Sequence, residues 1–100
     1  MFDVKVKRDY YPTGELRSEV FIINGMKNGV YKEYYPSGQI EELYLYINGV
    51  RHGEYNYYYP DGQLNTSFMY VNDKKEGEFK MYYPDGKLWK RCIFINGELE

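Results

Sequence analysis

The 100-residue chain has one cysteine, one histidine and no alanine, and neither sign of charge dominates it. A lone Cys92 excludes an intrachain disulfide framework. With 13 basic and 15 acidic residues the net charge is -2, so no global field draws a nucleic acid or an anionic membrane to the molecule. The first twenty residues, MFDVKVKRDYYPTGELRSEV, hold no apolar run of the signal-peptide or membrane-span kind, which points to the cytoplasm. The longest apolar run, Leu43–Ile47, is short, aromatic and followed by Asn-Gly, so it suits a strand better than a buried helix. What is abundant is tyrosine, 14 residues beside five phenylalanines and one tryptophan, and an aromatic-rich chain without alanine favours strands.

The tyrosines recur. Aligned on Tyr-Tyr-Pro, copies begin at Tyr10, Tyr34, Tyr58 and Tyr82, each 24 residues after the last without insertion. A fixed period of this length marks an array of supersecondary units, none able to bury its apolar side alone. The repeats run 10–33, 34–57, 58–81 and 82–100 within one domain, 1–100. With the first tyrosine as position 1, each copy carries two turn signals. Pro12-Thr13-Gly14 and its equivalents suit a type I turn with a glycine bulge, closing a three-residue loop that pairs position 1 with position 7. Asn24-Gly25, Asn48-Gly49 and Asn96-Gly97 suit a two-residue type I′ turn pairing 14 with 17; Asn72-Asp73 is a weaker version. These pairings alone slip by one residue per repeat and would turn every side chain to the other face. Either a bulge at Gly29, Gly53 and Gly77 or a three-residue second loop restores the register.

The expected fold is therefore all-β, an antiparallel meander of eight strands near 3–11, 15–23, 29–35, 39–47, 53–59, 63–71, 77–83 and 87–95, forming a single curved sheet. Simple alternation places Tyr10, Tyr34, Tyr58 and Tyr82 with Leu16, Ile40, Leu64 and Leu88 and with positions 11 and 13 on an interior face. Tyr11, Tyr35, Tyr59 and Tyr83, beside Glu15, Gln39, Gln63 and Lys87, then fall on the more exposed face with Tyr31, Tyr55 and Phe79, their hydroxyls in water. Large amphipathic rings of low side-chain entropy suit protein contact. Tyr11, Tyr35, Tyr59, Tyr83, Tyr31 and Tyr55 are accordingly the candidate partner-binding residues.

Other chemistry finds little support. His52 has Asn28 and Glu76 as repeat equivalents and reads as a polar loop position. Cys92 shares its place with Val20, Tyr44 and Phe68 and reads as a small buried hydrophobe. Glu41 and Glu42 read as solvent positions without a partner that would raise a pKa. No metal site, cofactor or catalytic residue is expected. Lys27, Arg51, Lys74, Lys75 and Arg91 form a thin basic rim, too little to neutralise phosphates, so no nucleic-acid partner is expected.

The pattern in GVYKEYYPSGQIEELYLYING (29–49) and GEYNYYYPDGQL (53–64) resembles the MORN-repeat variant of small bacterial proteins, including the YwqK-type antitoxin-like proteins. The resemblance covers Tyr10 to Gly97, and departs from the pattern at Asp73 and at Lys7, which holds a Tyr/Phe site. It implies a non-catalytic β-repeat used in protein contacts and in some cases proposed for membrane lipid; here it points to an interaction module whose partner is a cognate toxin or effector. The choline-binding cell-wall repeat also sets two tyrosines before a glycine turn, but it builds its cation cages from tryptophan, and this chain has only Trp89. The alternative in a different class is a lipid-surface or structural scaffold. In a meander the last strand leaves Cys92–Ile95 as an uncharged edge, which implies a weak homodimer or strand capture there.

Overall fold

The computed structural model describes residues 3–100; Met1 and Phe2, included in the domain reading above, lie outside the described residues. Nine strands follow one another in sequence: β1 Val4–Tyr10, β2 Leu16–Ile23, β3 Met26–Tyr34, β4 Ile40–Ile47, β5 Val50–Tyr58, β6 Leu64–Val71, β7 Lys74–Tyr82, β8 Leu88–Ile95 and β9 Glu98–Leu99. They form one antiparallel sheet in the order β1 to β9, and the described residues contain no helix. Strands β3, β5 and β7 begin three residues earlier than expected, because the glycine at position 20 lies inside the strand instead of starting it.

Both turn signals form as their chemistry requires. In the first, Tyr11 N–H donates to Glu15 O and Gly14 N–H to Tyr11 O, each at 2.9 Å, with Gly14 at φ 103°. The polar residue after proline earns its place in three copies by accepting a backbone bond, Gln39 N–H to Ser37 Oγ at 3.4 Å, Gln63 N–H to Asp61 Oδ1 at 3.0 Å and Lys87 N–H to Asp85 Oδ1 at 2.9 Å. In the second turn Ile23 pairs with Met26, a two-residue loop with Asn24 and Gly25 at φ 51° and 81°. The longer loop left open by the sequence is not used. Asp73 adopts φ 69° where the other copies have glycine, and its carboxylate is held by Arg51, with N–H···O contacts of 2.8 Å from the backbone and 2.9 Å from Nε. Asp73 is accordingly held below the usual carboxylate range, chiefly by the Arg51 side chain.

The register shifts at two places, not one. Tyr10 pairs with Leu16 but Asp9 with Ser18, leaving Arg17 as a bulge; Glu41, Asn65 and Trp89 repeat it. At the glycine, Phe21 pairs with Asn28 but Glu19 with Lys32, so Val20 faces the three residues Gly29–Tyr31. The same widening recurs at Gly53 and Gly77. Of its two extra residues, one cancels the position 8 bulge and the other closes the slip of one per repeat.

That extra bulge overturns the expected faces. Beyond it the alternation inverts, so Tyr10, Tyr34, Tyr58 and Tyr82 with Leu16, Ile40, Leu64 and Leu88 lie on the side of Phe21, Leu45, Met69 and Ile93. Positions 9, 11 and 13 lie on the opposite side, together with Tyr31, Tyr55 and Phe79. The best-buried residues, Ser18, Val20, Phe68 and Tyr70, all belong to this second side. Tyr10 is 58 % exposed, and Phe21, Met26, Val30, Met69 and Leu88 on its side are exposed as well.

The molecule measures 44 × 34 × 17 Å and is one layer thick. Its accessible surface is 6749 Å², against about 6,000 Å² for a compact monomer of this mass. The expected open edge is partly closed: β9 pairs Leu99 with Phe94 and Glu98 with Ile95, and Glu100 N–H donates to Ile93 O at 2.9 Å. Gly77 sits at φ 78° with open space where a Cβ would stand. Gly77→Ala therefore meets backbone strain and no clash, and is expected to cost about 1–2 kcal/mol in urea denaturation, with Gly77→Asn losing less.

Candidate aromatic interaction face

Two sets of bonds tie each repeat to the next, one at each end of the strands. Tyr11 OH donates to Tyr34 O at 2.5 Å, Tyr35 OH to Tyr58 O, and Tyr59 OH to Tyr82 O at 2.7 Å. The second tyrosine of one copy thus bonds the carbonyl of the first tyrosine of the next. These hydroxyls, expected in water, are half-buried, and burial raises the pKa of Tyr35 and Tyr11 above the ordinary phenol value. Tyr83 belongs to the last copy; it is 47 % exposed and its ring lies 6.0 Å from Trp89. At the other end the Asn-Gly turns bond backwards: Gly49 N–H donates to Lys27 O at 2.8 Å, and Asp73 and Gly97 N–H donate to Arg51 O and Lys75 O at 2.9 Å. Asn28 Oδ1 and Glu76 Oε2 accept from Asn48 and Asn96 N–H at 2.9 and 2.8 Å. His52, their repeat equivalent, is a strand residue opposite Leu45, not a loop residue.

Between these ends lies a line of rings that crosses the sheet perpendicular to the strands. Tyr31 stacks on Tyr44 at 4.8 Å, Tyr44 lies 5.5 Å from Tyr55, Tyr55 stacks on Phe68 at 4.5 Å and Phe68 on Phe79 at 5.1 Å. Position 22 of one repeat and position 11 of the next alternate along it. Such pairs add roughly 0.5–1.5 kcal/mol each beyond area burial, which helps a one-layer sheet hold together. Tyr31 and Tyr55 are thus brought into one stack, and Tyr11, Tyr35, Tyr59 and Tyr83 form a separate flanking column.

On the turn side of the rings, position 13 pairs with position 18, giving Ile22 with Lys27, Tyr46 with Arg51 and Tyr70 with Lys75. The cations rest on rings. Lys27 Nζ is 5.2 Å from the Tyr46 centroid, Arg51 Cζ 4.5 Å from Tyr70, and Lys75 Nζ 5.3 Å from each of Phe68, Phe79 and Phe94. Arg51 also donates to Tyr70 OH at 3.0 Å. What the sequence showed as a rim is an ordered row, and its signal was the basic residue at position 18 in three consecutive copies.

The far side of the rings is acidic in the first half of the array. Tyr31 OH donates to Glu33 at 2.7 Å and Tyr55 OH to Glu42. Glu41, expected to be an unperturbed solvent carboxylate, is pushed above the usual range by burial and then by its neighbour Glu33. The phenols of Tyr31, Tyr44 and Tyr55 are raised by burial first, and secondarily by Glu33, Tyr46 and Glu42 respectively. They stay protonated donors across the neutral range. A shallow depression of about 280 Å³ lies between the rows, lined by Glu42, Arg51, Tyr55, Phe68, Lys75 and Phe79 among others. Among the described residues no group of histidine, cysteine and carboxylate side chains is placed to hold a metal. Cys92 is half-buried opposite Phe79.

A family model described as MORN repeat variant matches residues 5–24, 27–48, 51–72 and 75–96. Each unit is thus one hairpin closed by the Tyr-Tyr-Pro loop, β1–β2, β3–β4, β5–β6 and β7–β8. No curated protein and no solved structure matches the chain.

Removing a latch hydroxyl leaves a backbone carbonyl short of a partner. Tyr35→Phe and Tyr59→Phe are each expected to cost about 1 kcal/mol, and Tyr83→Phe less than about 0.5 kcal/mol, by chemical denaturation. A second expectation concerns alkaline pH. An unfolded tyrosine ionises near pH 10.0, whereas Tyr31, Tyr44 and Tyr55 hold their protons higher in the folded chain. Ionisation therefore favours the unfolded state, and the contribution of these phenols to stability should be constant below pH 10 and fall as pH rises through and beyond it. Phenolate absorbance should show these tyrosines titrating only with unfolding.

Proposed function

Because the chain belongs to the MORN-repeat variant family, we propose that it works as a non-catalytic interaction module that binds a protein partner on its aromatic face. The observation that carries this reading is the stack from Tyr31 to Phe79, a continuous row of rings on a one-layer sheet with no second layer of the described chain over it. Rings of this kind give large contact area at small entropic cost, and stacking fixes their rotamers before a partner arrives. The docking surface comprises Tyr31 and Tyr55 in the stack and the flanking column Tyr11, Tyr35, Tyr59 and Tyr83, which offers ring edges while three of its hydroxyls serve the latch. On the finer reading the partner is a toxin or effector that the chain neutralises. At the C-terminal edge, β9 leaves Leu88–Cys92 of β8 unpaired, and a weak homodimer through that edge would use this segment and the outer side of β9.

Co-purification from the native host tests the reading. Tyr46→Ser, on the ring side, should lose a partner that the wild type recovers, while Val30→Ser on the other side should keep it, both variants being folded by circular dichroism. Retention by the first and loss by the second would place binding on the wrong face. For the finer reading, expressing the recovered partner alone should arrest growth and co-expressing this chain should relieve it; a partner harmless by itself would rule out the antitoxin role.

A further inference from the structure

We propose that the occupant of the aromatic face is an amphipathic α-helix lying across the strands, with acidic residues at seven-residue spacing along one flank and basic residues on the other. The inference rests on the interaction reading above and is carried by the spacing and signs of the charges that border the rings.

Equivalent positions in successive repeats are two strands apart, about 10 Å. Lys27, Arg51 and Lys75 therefore form a row with that pitch, on the turn side of the rings. Arg51 is already paired with Asp73, but Lys27 and Lys75 have no carboxylate within ion-pair distance among the described residues. They rest on rings and are held roughly 19 Å apart, four strands. A helix repeats the same face every seven residues, a rise of about 10.5 Å, and fourteen residues span about 21 Å. Acidic residues at i and i+14 thus reach both free lysines, and one at i+7 meets Arg51.

The second border lies four residues away along the strands, about 13 Å. It contains Glu33, Glu41 and Glu42; burial first, and then Glu33 and Glu42, push Glu41 above the usual range against a smaller opposite effect of Arg17, and none of the three carboxylates has a cation within ion-pair distance among the described residues. Basic residues on the helix's other flank would relieve that repulsion. A helix of about 10–12 Å diameter fills the width between the two borders. A polyproline II segment also repeats near this pitch, about 9.3 Å per turn, but it is too slim to reach both. The acids occupy only the first two repeats, with Thr66 and Lys90 in the equivalent places further on, so the surface admits the helix in one orientation.

The probe is a synthetic 24-residue helical peptide with a leucine seam, glutamate every seventh residue on one flank and lysine on the other. Calorimetry should show it binding the full chain. The double variant Lys27→Glu/Lys75→Glu should weaken it at least tenfold, and a peptide with lysine replacing those glutamates should recover most of the loss. Nuclear magnetic resonance should show ring signals of Tyr55 and Phe79 moving on binding. Equal binding by a peptide with its glutamates five residues apart overturns the proposal, as does preference for an extended proline-rich peptide with glutamate every third residue. Lysine-dependent binding to phosphatidylserine-containing vesicles without peptide binding overturns it in favour of a membrane. If no helical peptide binds but Tyr46→Ser still loses the native partner, the helix is wrong and the interaction module stands.

Discussion

Each repeat of this protein is held to the next by bonds that only the next repeat can supply. The hydroxyl of Tyr11, Tyr35 or Tyr59 reaches a carbonyl of the following copy, and the Asn-Gly turns reach back to the strand before. Only four of the described residues in this single-layer sheet are buried, and none of their side chains completely, so it cannot rely on an enclosed core. Stability is instead distributed along the array as nearest-neighbour terms. Two tyrosines stand at the head of each copy because they do different work. The first offers its carbonyl and pairs across the hairpin, and the second turns to the opposite side and closes the latch.

That arrangement fixes where the rings go. With the latch and the glycine widening in place, position 22 of one repeat meets position 11 of the next, and the aromatic stack follows. The cations at position 18 then rest on rings instead of reaching into solvent. The same bonds that make the fold periodic make its aromatic face periodic, with a pitch set by two strand spacings. An uncovered, regularly charged face is what this array of MORN-repeat variant units presents to its surroundings.

The turns were legible in the sequence because proline, asparagine and glycine each impose a backbone conformation, and the meander followed from them. The face assignment was not, and the reason is local. The bulge at position 8 is occupied by Arg17, Glu41, Asn65 and Trp89, four residues with no shared property, and a bulge of that kind needs no special residue. One unmarked bulge inverts the alternation between the start of a strand and its middle. Alternation along the sequence puts the six candidate tyrosines on one side, where they also lie in the structure, but gives them the wrong neighbours. Tyr44, Phe68 and Tyr70 share their side, and the row Lys27, Arg51, Lys75 borders it. Asp73 shows the converse: its departure from glycine looked like a weak turn, and Arg51, which sequence alone could not place beside it, holds it there.

The proposed interaction surface and its charge borders depend on which residues share a side of the sheet, and interproton contacts measured in solution test that directly. The structure requires close contacts between the rings of Tyr55 and Phe68 and between Phe68 and Phe79, with Tyr58 and Leu64 contacting each other on the opposite side. Contacts linking Tyr58 or Leu64 to the rings of Phe68 or Tyr70 would show the bulge to be absent and the two faces exchanged.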